Sequence, residues 1–133
     1  DHGEIELRSW IVLAGAVINI PPDPDVYPHD IEIPRDAIAH TLEHAGVFLG
    51  WNCEDDDQAC LDTVTEIEAL VNDRIDNNDN RVVMSKNLDL PIGTMAVASW
   101  TRVLAFAYAD YDEDAVADFI GTHSCRFDPE GFC

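Results

Sequence analysis

The chain has 133 residues, of which 47% are hydrophobic and 26% charged. That balance suits one domain with a core of its own and excludes disorder as a description of the whole chain. Seven Lys and Arg stand against 27 Asp and Glu, a formal charge of −20, and a surface of that sign repels phosphate. Nucleic acid and anionic membrane are therefore poor partners, and no nucleic-acid binding is expected. The acid is mostly aspartate, 18 of the 27, and Lys86 is the one lysine. Concentrated salt favours such a surface by screening the carboxylates from one another. An acidic medium does so by protonating them near their ordinary pKa of about 4.

Residues 4–20 read as one long strand. Glu4, Glu6 and Arg8 alternate with Ile5 and Leu7, and continuous apolar sequence follows from Trp10 to Ile18. That run is about half the roughly 20 residues a membrane helix needs, so no span is expected. Pro21-Pro22-Asp23-Pro24-Asp25, followed by Pro28, excludes helix and inner strand and predicts a rigid exposed connection.

Pro34 suits the first residue of a helix that runs to Leu49, with Gly50 as its stop. Ala37, Ile38, Leu42, Ala45, Phe48 and Leu49 form its buried stripe. The acidic loop Asn52 to Ala59 leads into a second helix over 58–75, and Asp55-Asp56-Asp57 places negative charge at its N-terminus. Leu61, Val64, Ile67, Leu70, Val71 and Ile75 recur at helical spacing there. A turn over 76–80 precedes a strand at Val82-Val83-Met84, and Leu88 to Gly93 forms a second connection. Thr94 to Tyr108 mixes strand-forming residues (Val97, Trp100, Val103, Phe106) with alanines that suit a helix. The strand and turn before it favour a strand. A helix over 112–122 opens on Asp112, Glu113 and Asp114, and the tail from His123 to Cys133 has room for a further short strand. These patterns predict a single-domain α+β sandwich. Its sheet would be antiparallel with the helices on one face, in the split βαβ order of ferredoxin-like folds.

Four cysteines, Cys53, Cys60, Cys125 and Cys133, are an even count in a small chain. They predict two disulfides and an oxidising, secreted location. Three pairings exist, of which Cys53–Cys60 with Cys125–Cys133 is the simplest. The spacings do not fit a zinc knuckle. Asp1 at the start predicts a processed N-terminus, and none of the asparagines stands in a glycosylation sequon.

His40-Thr41-Leu42-Glu43-His44 carries the H-x-x-E-H spacing, which puts two imidazoles one helical turn apart with a carboxylate beside them. Inverted zinc peptidases bind metal that way. A polar helix face is the plainer explanation, because Asp36, His40 and Glu43 lie opposite the Ile38–Leu42 stripe. Asp76, Asn78 and Asn80 copy positions 1, 3 and 5 of a calcium loop. Arg81 and Asn87, however, replace the glycine and glutamate such a loop needs. A divalent cation at either place is the one cofactor the sequence admits. No serine stands in a nucleophile elbow, and paired cysteines leave no thiolate.

Two functions follow. One is a diffusible secreted protein that acts by binding, toxin- or effector-like, on a protein or cell-surface target. The other is a self-assembling structural subunit of a filament, surface layer or virion from a salt- or acid-adapted organism, paired through its N-terminal strand. Metal binding through His40, Glu43 and His44 is a third.

Overall fold

The computed structural model describes residues 10–13, 16–19, 23–43 and 46–124. β1 (Trp10–Leu13) and β2 (Ala16–Asn19) pair antiparallel with each other, Leu13 opposite Ala16. The single strand expected over 4–20 is therefore a hairpin where it is described. The apolar run continues unbroken through the reversal, so hydrophobic patterning alone did not mark it.

The main sheet holds β3 (Asp25–Val26), β4 (Val47–Asn52), β5 (Val82–Lys86), β6 (Thr94–Ser99) and β7 (Arg102–Ala107). Their order is β3-β5-β4-β6-β7. β5 runs parallel to both of its neighbours, while β6 is antiparallel to β4 and to β7. The α+β class holds, but the sheet is mixed rather than antiparallel. β3 and β4 do flank another strand, yet that strand is parallel to both, whereas a ferredoxin-like sheet would alternate.

Three helices complete the described fold: α1 (Arg35–Glu43), α2 (Gln58–Asn78) and α3 (Glu113–His123). They lie on both faces, not one. Val47, Leu49 and Trp51 of β4 join Val82, Met84, Met95 and Val97 against α2 and α3. Phe48 and Val83 point the other way and pack with Tyr27, Ile31, Ile33 and Ala37 of the α1 side. Strand alternation makes this division inevitable, since successive side chains leave opposite faces of the sheet.

The first helix is shorter than its apolar stripe implied. α1 ends at Glu43, and Phe48 and Leu49 belong to the central strand, whose six residues are all buried. A strand covered on both faces reads as a continuous apolar run, which is also what a buried helix gives. Gly50 is thus an inner-strand residue and not a helix stop. A Cβ there would approach Phe48 Cε2 to 2.9 Å and Asn87 Cβ to 3.0 Å. At Gly46, before β4, a Cβ would meet Thr41 Cγ2 at 2.8 Å and the Thr41 carbonyl at 3.0 Å.

The remaining elements lie close to their expected places. Asp57 caps α2 by accepting the Cys60 amide, and Asp112 caps α3 by accepting those of Asp114 and Ala115. α2 runs three residues past 75, and Asp79 closes it at φ 54°. The segment 94–108 is strand-forming as expected, but it folds as two strands about Trp100 and Thr101, the latter at φ 71°. The short strand expected in the tail lies outside the described residues from 125 onward.

Candidate functional site

The carboxyl ends of the parallel strands β3, β5 and β4 meet at one edge of the sheet. Open sheets commonly bind ligands at that end. β3 pairs with Val83 and Met84, and Glu32 bridges again to Lys86 further along the same strand. Between these pairings the chain leaves the ladder. Pro28 has no N–H to give to a sheet, and the Ile31 amide donates back to the Pro28 carbonyl at 3.0 Å, closing a turn. Each end of this excursion is fastened. The Tyr27 amide donates to Met84 O at 2.9 Å, and the Ile33 amide donates to Ser85 Oγ at 3.1 Å. The Tyr27 hydroxyl donates to Asp23 O at 2.8 Å. Burial, with Asp23 and Asp25 nearby, pushes its pKa up to about 12.

The excursion carries His29 onto the α2 side. Its Nε2 lies 2.8 Å from Glu68 Oε2 on α2, and its ring stands edge-on to Trp51 with centroids 4.8 Å apart. Trp51 is buried and forms the floor. Lys86, in register with Trp51 on β5, holds its ammonium 5.8 Å from the indole centroid and 3.8 Å from Asp55 Oδ1. Asp55 belongs to the loop that Cys53 and Cys60 close with a disulfide. Both cysteines are buried, so this bond is structural and ties the end of β4 to the first turn of α2.

The contact between Nε2 and the Glu68 carboxylate fixes the orientation of the imidazole and leaves Nδ1 free of that partner. The site therefore presents an oriented imidazole, an ammonium and a carboxylate over an aromatic floor. Partly exposed ion pairs of this kind contribute only about 0–1 kcal/mol to stability. His29 remains 46% exposed, so packing does not explain its position.

On the α1 side of the same edge lies an open cavity of about 590 Å³. Ile33, Pro34 and Ile38 give it apolar lining, and Glu32 and Asn87 add polar groups. Arg35 and Asp89 also line it and pair at 2.9 Å with both side chains exposed. The hydrogen bond that Arg35 donates to Asp89 pushes the Arg35 pKa further up.

The residues singled out by sequence fall elsewhere. His40 is buried on α1 at 1% exposure, Glu43 is half-buried at the end of that helix, and His44 lies outside the described residues. Asp76 and Asn78 are in the last turn of α2, so with Asn80 they do not share a loop. Among the described residues no three His, Cys, Asp or Glu side chains gather as metal ligands. Cys53–Cys60 is formed as the simplest pairing expects, while Cys125 and Cys133 lie outside the described residues. No described helix is long and apolar enough to cross a membrane. Sequence reasoning missed His29, Glu68 and Lys86 as a group. The one signal available was a histidine directly after Pro28, in a stretch too proline-rich for regular structure.

A family model described as a protein of unknown function (DUF3105) matches residues 4–131. Neither a curated protein nor a solved structure matches the chain. The chain belongs to the DUF3105 family.

Proposed function

We propose that this DUF3105 member is a secreted, disulfide-stabilised domain that acts by binding. Its recognition surface lies at the carboxyl ends of β3, β5 and β4. The observation that carries this reading is His29, held half-exposed between Glu68 and the buried Trp51. An imidazole oriented by a carboxylate loses little freedom on contact with a partner, and such preorganisation favours affinity. The Cys53–Cys60 cross-link serves the same end by restraining the loop that brings Asp55 to Lys86. With donors, an acceptor and an aromatic floor together, the ligand is a polypeptide segment on a protein or cell-surface target. A diffusible, effector-like domain is the setting this surface supports, and the disulfide supports an oxidising compartment.

Peptides displayed on phage and selected against the folded, oxidised protein test the reading. Selected peptides should bind His29→Ala and Lys86→Ala at least tenfold more weakly than the parent. Equal affinity for the parent and both variants would place recognition elsewhere and overturn the proposal.

A further inference from the structure

The acid is not spread evenly along the chain. Its two longest stretches without a carboxylate are residues 90–109 and residues 7–22. Each contains a β-hairpin, β6–β7 in the first and β1–β2 in the second. In a chain carrying −20, a surface without carboxylates is where a second anionic molecule approaches with least repulsion.

The two edges of the main sheet differ in the same sense. β3 is two residues long, with Asp23, Pro24, Asp25 and Pro28 in and around it. Shortness, charge and proline are the devices that keep an edge from pairing with another chain. β7 has no proline, and its one charge is Arg102 at its first residue. It is six residues long, reads Arg-Val-Leu-Ala-Phe-Ala, and pairs with β6 alone among the described strands. Leu104 and Phe106 pack toward the core, whereas Val103, 67% exposed, and the exposed Ala105 and Ala107 face the other way. The half-exposed Ala96 and Ala98 of β6 extend that open face, opposite Ala105 and Val103.

We propose that β7 is a self-association edge, which pairs antiparallel with β7 of a second copy and joins two five-stranded sheets. A second copy fits because both edges then bring a carboxylate-free strand. A two-fold axis through Ala105 sets Ala105 beside its own copy, Leu104 beside the partner's Phe106, and Val103 beside the partner's Ala107. No like charges face each other in that register. Isologous pairing of this kind is the commonest way soluble chains dimerise. Salt strengthens the dimer by screening the remaining carboxylates.

Sedimentation equilibrium of the full, oxidised chain at neutral pH, with and without molar NaCl, is the test. The expected result is a species of twice the 14.8 kDa chain mass in salt, with at least tenfold weaker association without it. Ala105→Glu and Ala105→Lys each put like charges together at the axis, and each alone should be a monomer with the parent's circular dichroism. Mixed in equal amounts they should form a heterodimer, a recovery that misfolded variants would not give. A parent that stays monomeric in salt overturns the proposal. So does an Ala105→Glu variant that dimerises like the parent, which would shift suspicion to the β1–β2 hairpin.

Discussion

Ser85 accepts the backbone amide of Ile33 at 3.1 Å although the two residues lie 52 positions apart. The same hydroxyl is 3.2 Å from the Ile31 carbonyl, and Ser85 is fully buried. One side chain thus supplies the sheet-like contacts that the 27–33 excursion gives up when it leaves β5.

Ser85→Ala should therefore destabilise the protein by about 1–3 kcal/mol, the cost of a buried amide left without its acceptor. Urea unfolding reads that loss. The His29 imidazole resonances should shift as well, because the excursion is what carries His29 to Glu68. A change under about 0.5 kcal/mol, the level of an indifferent surface substitution, would show that Ser85 does not hold the segment.

The disulfide allows a separate expectation. Cys53 and Cys60 are separated by seven positions, and a loop that short contributes about 2–3 kcal/mol in the chain-entropy picture. The Cys53→Ala, Cys60→Ala double variant should lose at least that much, because both sulfurs also fill buried space in the α2-side core. Its thermal midpoint, set beside that of the oxidised parent, gives the difference. Equal midpoints would mean that α2 and β4 are joined well enough by packing alone.

How much of this was legible beforehand depended on which force governed each segment. α2 and α3 were readable because local signals agree there: Asp57 and Asp112 cap, and Val64, Ile67 and Val71 recur at helical spacing. β4 was not, because Val47 to Leu49 is apolar on both faces and its pairing partners come from residues 82–86 and 94–98. The same applies to the helices lying on two faces. That follows from β5 inserting between β3 and β4, a long-range choice that no window of sequence encodes. The His29 site depends on three segments, 29, 51 and 68, meeting across the sheet edge. His40 drew notice for its spacing with Glu43, yet it is buried on α1.

Alkaline pH provides a third expectation. Burial raises the phenol of Tyr27 from 10.0 to about 12, and Tyr111 shifts to about 12 for the same reason, with Glu113 and Glu66 adding to it. In the unfolded chain both titrate near 10, so the folded state holds the proton more tightly. Their contribution to stability is complete below about pH 10 and is lost as pH rises through about 12. For the buried Tyr27 the loss is at most about 3 kcal/mol, and for the half-buried Tyr111 it is smaller. Unfolding free energy should fall between pH 10 and 12, and Tyr27→Phe should flatten that fall. An unchanged slope in Tyr27→Phe would remove this phenol as a cause.

Salt provides the last. No described carboxylate is buried, since His40, Thr41, Asn52, Thr63, Ser85 and Ser99 are the buried polar residues there. The negative charge of the described residues is therefore at the surface, where counterions reach it. Few cations lie among it: Arg35 pairs with Asp89, and Lys86 approaches Asp55. Folding draws these carboxylates closer than the extended chain does, so repulsion opposes the compact state most strongly at neutral pH and low ionic strength. Raising NaCl to about 1 M shortens the screening length to about 3 Å and should raise the melting temperature. A gain of about 1 kcal/mol in a domain of this size corresponds to roughly 4 °C. Mild acid in low salt should act in the same direction, because protonating surface carboxylates removes repulsion without breaking a buried ion pair. Melting curves at two protein concentrations separate this from dimer formation, which would make the midpoint concentration-dependent. A midpoint that stays flat across salt at both concentrations would mean that the surface charge is already balanced by its own arrangement.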